Sequence, residues 1–266
     1  EANNANITFA PDALPVSKGM VIAKSGNSGS SGGPHVHFEL RDCNDDDDAF
    51  FDPMPLFLEK VADNKAPRIE QVYIYPLGGS VMGGFKRRQS GIVRQPNGSY
   101  NLAKPFSAWG RIGLGIKAYD HMDGQSNIYG VKHVKLFLGD SLIYSFDAHR
   151  FQYSERRFAN ALIDYDAWYQ QRSIIMKSFV EPGNHLSMLD ASLGDGTIVI
   201  DEERLYPFRY ELTDAHGNKT VFAFSVKGVR NNQKAPEPSF KGYRYDPVQL
   251  FILDTLGCSI KMPKGK

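Results

Sequence analysis

Apolar and polar residues alternate with a period of two in several short segments, most clearly in residues 113–119 and 221–226. Successive side chains of a β-strand point to opposite faces, so this alternation predicts half-buried strands. Clusters of Gly, Pro, Asn and Asp separate the segments, as expected for turns. The predicted strands are residues 72–75, 112–119, 131–138, 141–146, 197–200, 208–212 and 220–226. Their spacing indicates a β-sandwich.

One segment inside the predicted sandwich has apolar spacing close to the helical period. Residues 164–179 contain Tyr165, Trp168, Tyr169, Ile175, Met176 and Phe179. Asp164 is a suitable N-terminal cap, and the sequence Glu-Pro-Gly-Asn at residues 181–184 predicts the end of the helix. We expect this helical insertion to cover the sandwich core; the alternative is an aromatic patch for stacking on glycans. Lys86, Arg87 and Arg88 are expected to lie in a solvated hairpin.

Two polar, proline-containing segments divide the chain into three predicted domains. Residues 63–67 form the first linker and residues 231–238 the second. The fold class predicted from these patterns is mainly β. Residues 1–62 are expected to form a partial antiparallel sheet and residues 67–230 a β-sandwich with the helical insertion. Residues 239–266 are expected to begin a further, truncated β unit.

The composition argues against some classes of function but indicates none. The chain has 266 residues and a formal net charge of +1, with 31 basic and 30 acidic side chains. That balance gives no electrostatic case for binding nucleic acid or an anionic membrane, and we expect no nucleic-acid partner. The longest apolar stretches fall far short of the roughly 20 residues that span a bilayer. Cys43 and Cys258 could form a disulfide or remain two unrelated thiols.

The chemically distinctive segment is His-Val-His-Phe-Glu-Leu-Arg at residues 35–41, which follows a loop with four glycines at residues 25–34. Its alternation predicts a strand on which His35, His37 and Glu39 share one face, while Val36 and Phe38 pack into a core. A rigid strand would hold the two imidazoles close enough to serve one metal site. Histidine pairs at this spacing are also common without any metal. The pair alone therefore does not distinguish a metal site from two structural histidines.

The sequence around this pair resembles the end of the lysostaphin/LytM-type murein endopeptidase domain. The resemblance covers residues 14–58 and includes Lys-Gly-Met-Val-Ile-Ala at residues 18–23, the Gly-Pro-His-x-His-Phe-Glu motif ending at Glu39, and Asp52-Pro53. It implies that His37 is a zinc ligand and that His35 is a catalytic residue that orients or deprotonates a zinc-bound water. The implied substrate is a peptidoglycan peptide, with Asn27, Ser28 and Gly29 in the substrate-binding loop. Glu39 could support the site, although a solvated or structural role is more common for such a residue.

The resemblance is incomplete, because the family's remaining zinc ligands precede the matching region and residues 1–34 contain no histidine. A catalytic zinc ion needs three protein ligands and an open position. We therefore expect the remaining ligands to come from upstream sequence, and this chain alone to be inactive. A degenerate, peptidase-like scaffold that binds cell wall is the alternative.

Residues 69–228 resemble the Ig-like domain that follows the peptidase in envelope metallopeptidases of Bacteroidetes-type bacteria. The similar segments are Tyr-Ile-Tyr-Pro-Leu from residue 73, Gly-Ile-Lys-Ala-Tyr-Asp from residue 115, and Tyr-Glu-Leu-Thr-Asp-Ala-His-Gly-Asn from residue 210. The resemblance implies a cell-envelope location and a possible protein partner for this domain, and adhesion or assembly is a third candidate function. The other histidines are expected to be structural. His121 is expected to lie in a turn between strands; the alternative is a carboxylate–imidazole metal cluster formed with Asp120 and Asp123.

Overall fold

The computed structural model describes residues 9–10, 12–27, 31–42, 48–97 and 99–234, and the backbone of residues 249–254 and 257–261. The chain forms two compact units, Glu1–Phe38 and Glu39–Lys266. The second unit is mainly β, which confirms the predicted fold class. Ser28, Gly29 and Cys43 lie outside the described residues, and of Cys258 only the backbone is described.

The first unit has turns but no helix or strand in its described residues, 9–10, 12–27 and 31–38. Gly19 has a φ of 89°, and the amide of Met20 donates to the carbonyl of Ser17 at 3.0 Å, so the predicted turn is present. The strand expected after it is absent. The strand predicted over residues 35–41 is also wrong, because only Leu40–Arg41 forms one. Val36 and Phe38 are 83% and 53% exposed and do not pack into a core.

In its described residues, the second unit contains sixteen strands and two α-helices. The strands are β1 Leu40–Arg41, β2 Phe50–Phe51, β3 Arg68–Pro76, β4 Ser80–Val81, β5 Arg88–Arg94, β6 Tyr100–Leu102, β7 Phe106–Tyr119, β8 His133–Leu138, β9 Ser141–Asp147, β10 Arg150–Phe151, β11 Met176–Lys177, β12 Ile198–Ile200, β13 Leu205–Thr213, β14 Lys219–Gly228, β15 Gln249–Asp254 and β16 Gly257–Lys261. The helices are α1 Ala159–Leu162 and α2 Tyr165–Gln171, and 3₁₀ turns occur at Met54–Leu56, Tyr153–Arg157 and Ala191–Leu193. All seven strands predicted in residues 72–226 are present, although β3 begins four residues and β7 six residues before the predicted start.

The main sheet follows the order β6-β5-β3-β7-β14-β13-β8-β9, and β4, β11 and β12 also pair with β7. The first residues of β7 pair with β14 and β4, whereas its later residues pair with β3, β11 and β12. Strand β7 therefore belongs to both halves of the sheet. Buried side chains from both halves, such as Ile74 and Leu114 on one and Phe208 and Tyr210 on the other, belong to a single core. One core between two sheet halves is the arrangement of a β-sandwich.

Glycine at two positions allows the chain to change halves within β7. Gly110 has a φ of 84°, a conformation that side-chain-bearing residues rarely adopt. Gly79 lies against it, and a Cβ atom at Gly79 would be 2.5 Å from the carbonyl oxygen of Trp109. The loop before β4 and strand β7 can approach this closely only because both residues lack a side chain.

Helix α2 begins as predicted but ends early. Asp164 is its N-cap, and its Oδ1 accepts a hydrogen bond from the amide of Ala167 at 3.1 Å. The helix ends at Arg172, which has a left-handed φ of 53°. Ile175 is buried beside Ala167 and Tyr73, so this region covers part of the sandwich as expected. The prediction of a helix through residue 179 is wrong, because β11 pairs with β7 instead.

Residues 39–62, which the sequence analysis places in the first domain, contact the sandwich in several places. Strand β2 pairs with β1 on one side and β10 on the other. Lys132 Nζ lies 2.5 Å from Asp52 Oδ2, and His216 contacts the carbonyl of Val61 at 2.6 Å. Strands β15 and β16 form an antiparallel hairpin within the predicted third unit.

Candidate functional site

The loop before His35 fixes the orientation of its ring. Nδ1 of His35 lies 2.8 Å from the carbonyl oxygen of Gly33 and 3.1 Å from Ser31 Oγ. A carbonyl oxygen can only accept, so the contact is a hydrogen bond only if Nδ1 carries a proton. The neutral ring then has its lone pair on Nε2. A backbone carbonyl that selects the tautomer in this way is common for histidines that bind metal or transfer protons.

Ser31 stabilises the same turn. Its hydroxyl donates to the carbonyl oxygen of Gly33 at 2.7 Å, and it accepts from the amide of Gly33 at 3.2 Å. Ser25 Oγ also donates to the carbonyl of His35 at 3.4 Å. The turn that precedes the histidine pair is therefore organised by hydroxyl groups of the serine- and glycine-rich loop.

The other predicted site residues lie in exposed chain. His37 is exposed, two residues after His35 in the same irregular segment, and Asn27 is exposed in the loop. Glu39 is engaged in an ion pair: its Oε1 accepts from Nε of Arg41 at 2.8 Å and from Nη2 at 2.6 Å. Of the two roles considered for Glu39, this contact fits the structural one.

The described residues of Glu1–Phe38 do not complete a zinc site. His35 and His37 belong to no group of three or more potential ligands there, and residues 1–34 contain no further histidine. Imidazole is a ligand type that zinc prefers, but the ion needs at least three protein ligands. The residues described in this chain therefore fit at most part of a zinc site.

A cluster of three carboxylates lies in the other unit, and it combines Asp120 with two residues that no sequence motif connects to it. One carboxylate oxygen each from Asp63, Asp120 and Asp214 lie within 4.8 Å of one another, and all three residues are buried. Burial raises the pKa of Asp120, and so do the Asp214 and Asp63 charges, against a lowering hydrogen bond from the backbone of His121. Asp63, Asp120 and Asp214 are more than 50 residues apart along the chain, so no motif or spacing in the sequence brings the three together.

The remaining histidines make the local contacts expected of structural residues. His133 Nδ1 lies 3.0 Å from Asp147 Oδ1, and burial lowers the pKa of His133 despite that carboxylate. His121 Nδ1 contacts the carbonyl of Asn127 at 3.1 Å within a turn, as expected. Arg87 differs from its prediction, because it forms an ion pair with Asp164 and is not simply solvated.

Comparisons of the chain with protein-family models, with curated proteins and with solved structures found no match. In the described part of the chain, no helix has both the length and the apolar character needed to cross a membrane.

Proposed function

We propose that the protein is a zinc-dependent endopeptidase of the bacterial cell envelope that hydrolyses peptide cross-links of peptidoglycan. His37 is the metal ligand that this chain contributes, and His35 is a catalytic residue. The proposal is supported by the Gly-Pro-His-x-His-Phe-Glu motif and by the contact between His35 Nδ1 and the Gly33 carbonyl. The remaining zinc ligands would have to come from outside the described residues.

The chemistry assigned to His35 follows from its ring orientation. With Nδ1 protonated and held by the Gly33 carbonyl, Nε2 is the atom that can accept a proton from a nucleophilic water. Imidazole is a side chain that can both take up and release a proton at neutral pH. The serine- and glycine-rich loop, which includes Asn27, has few bulky side chains that would obstruct an extended peptide. Ser28 and Gly29, also proposed to contact substrate, lie outside the described residues.

The decisive experiment uses the protein purified from its source, together with any further sequence that it carries there. Purified peptidoglycan is incubated with it, and newly formed amino groups and bound zinc are measured. His37→Ala should remove both zinc and activity. His35→Ala should retain zinc but lose roughly 10²–10⁴-fold in rate, the usual contribution of a general base. His149→Ala, a change of an exposed histidine in the other unit, is the control and should behave as the parent. A zinc-free but fully active protein would contradict the proposal.

The incomplete ligand set favours one alternative, a degenerate peptidase-like scaffold that binds cell-wall peptide without cutting it. The same samples distinguish the two functions. A scaffold would sediment with insoluble peptidoglycan, release no amino groups and keep its binding after His37→Ala. An adhesion role of the Ig-like part would instead be indicated if residues 67–230 carried all binding to an envelope protein.

A further inference from the structure

Three buried carboxylates meet at the end of the sandwich where the linker enters it. Asp120 directly follows β7, Asp214 directly follows β13, and Asp63 lies in the linker before β3. One oxygen from each lies within 4.8 Å of the other two. The Asp63 side chain is only 1% exposed. Burying several like charges this closely is costly unless a positive charge compensates them.

Within the described residues, no lysine or arginine supplies that charge. The ion pairs of this part of the chain include no Lys or Arg contact to Asp63, Asp120 or Asp214. The nearest ammonium group in the linker, that of Lys65, points to the Met122 carbonyl and to Asp123. Among the described residues, His216 is the basic side chain that pairs with the cluster, with Nδ1 3.8 Å from Asp63 Oδ2. One imidazolium could compensate only one of the three carboxylates, so the cluster needs positive charge from another source.

Two carboxylate oxygens of the cluster are buried without a hydrogen-bond partner, Asp63 Oδ2 and Asp120 Oδ1. A third buried atom without a partner, His216 Nδ1, lies 3.8 Å from Asp63 Oδ2. The other ring nitrogen of His216, Nε2, contacts the Val61 carbonyl at 2.6 Å and must therefore carry a proton. Native proteins rarely leave buried polar atoms unsatisfied, and a cation bound among the carboxylates would satisfy both of the unpaired oxygens.

The hydrogen-bonded oxygens of the cluster are held in place by surrounding amides. Asp214 Oδ1 accepts from the amides of His216 and Asn218 at 2.8 and 2.9 Å. Asp214 Oδ2 accepts from Asn218 Nδ2 at 2.8 Å, and that group also donates to the Asp63 carbonyl at 3.0 Å. Asp63 Oδ1 accepts from the amide of Lys65 at 3.0 Å. Such surrounding hydrogen bonds orient the carboxylates in metal sites.

We propose that Asp63, Asp120 and Asp214 bind one calcium ion. Calcium takes six to eight oxygen ligands at about 2.3–2.6 Å, so its ligands can stand up to about 5 Å apart. Oxygens that lie within 4.8 Å of one another can therefore bind the same calcium ion. A single shared proton would join only two of the three carboxylates. The bound ion ties the linker at Asp63 to the ends of β7 and β13. This site is separate from the histidine pair and does not depend on the proposed peptidase activity.

The test uses the whole chain after treatment with a chelator and measures calcium binding by calorimetry and by thermal unfolding. One calcium ion should bind per chain and raise the Tm by about 5–10 °C at a concentration of 100 times Kd. Tb³⁺ should bind in its place and luminesce on excitation of nearby tyrosines, of which Tyr119 precedes Asp120 in the chain. Asp120→Asn and Asp63→Asn should lose at least ten-fold in calcium affinity and most of the Tm shift. Asp140→Asn, a change of an exposed aspartate in the β8–β9 turn, is the control.

A circular dichroism spectrum like that of the parent establishes that each variant is folded. If the chelator-treated parent is folded and calcium changes neither its Tm nor the heat signal, the proposal is wrong. If zinc binds in preference to calcium and His216→Ala abolishes that binding, the assignment to calcium is also wrong.

Discussion

Tyr75 donates a hydrogen bond to Asp164 Oδ2 over 2.9 Å and so connects strand β3 to the N-terminus of helix α2. The same carboxylate forms an ion pair with Arg87 and accepts from the amide of Ala167 through Oδ1. Asp164 is therefore both a helix cap and the point where three separate segments meet. Burial raises the pKa of Asp164, but the bonds from Ala167 and Tyr75 and the Arg87 charge outweigh it and hold that pKa below its ordinary value.

Replacing Asp164 should destabilise the protein measurably. Asp164→Ala removes the cap, worth about 1 kcal/mol, and a hydrogen-bonded charge pair worth about 1.5–3 kcal/mol. We expect a total loss of about 2–4 kcal/mol in the free energy of unfolding by urea. Asp164→Asn retains a capping oxygen and should lose about half as much. Asp140→Ala, a change of an exposed aspartate in the β8–β9 turn, is the control and should change stability by less than about 0.5 kcal/mol.

The contribution of Asp164 should depend on pH. Its pKa is lower in the folded protein than in the unfolded chain, so the unfolded state takes up a proton first as the pH falls. The stabilisation is complete above the unfolded value of about 3.9 and is lost as the pH falls through the folded pKa. The stability difference between the parent and Asp164→Asn should therefore be constant from pH 7 to pH 5 and shrink below pH 4. An equal difference at pH 3 and pH 7 would contradict this assignment.

Removing the hydroxyl group should change the stability of the protein differently at two buried tyrosines. Tyr210 Oη donates to Ser178 Oγ at 2.8 Å, whereas the Tyr144 hydroxyl is buried without a partner. Burial raises the pKa of both groups, so both stay neutral. Tyr210→Phe should cost about 1 kcal/mol, because Ser178 loses its partner. Tyr144→Phe should be neutral or stabilising by up to about 1 kcal/mol. Urea denaturation of the two variants, each a control for the other, measures the contrast.

Strands β13 and β14 were predictable because the alternation of apolar and polar residues in their sequences matches their burial. The alternation predicted for residues 113–119 of β7 is wrong, because residues 112–116 are all buried. In β14, buried Phe222, Phe224 and Val226 alternate with more exposed residues, and β13 shows the same pattern. Asp164 was predictable as a cap because capping depends on residues within one turn. The short strand β11 was missed because the residues after Arg172 pair with β7, a partner distant in sequence.

The sites were less predictable than the fold. The alternating residues 35–39 resemble a strand, but a strand also needs a hydrogen-bonding partner, and in the described chain pairing begins only at Leu40. The contact of Arg87 with Asp164 and the meeting of Asp63 with Asp120 and Asp214 depend on the folded topology. A sequence pattern shows the periodicity and the chemistry of neighbouring residues. It does not show which side chains from distant segments will contact one another in the fold.

Strand β7 passes from one half of the sheet to the other, and this passage should depend on Gly79. A Cβ atom there would lie 2.5 Å from the Trp109 oxygen and 2.8 Å from the Arg111 amide, and backbone atoms cannot move aside without disturbing the strand. Gly79→Ala should therefore cost about 2–3 kcal/mol in unfolding free energy, as overpacking usually does. Gly91→Ala is the matched control in β5, because its Cβ would meet nothing within 4 Å. That change should stabilise by about 0.5 kcal/mol, since alanine loses less entropy than glycine on folding. Equal urea midpoints for the two variants would show that β7 does not require the close approach at Gly79.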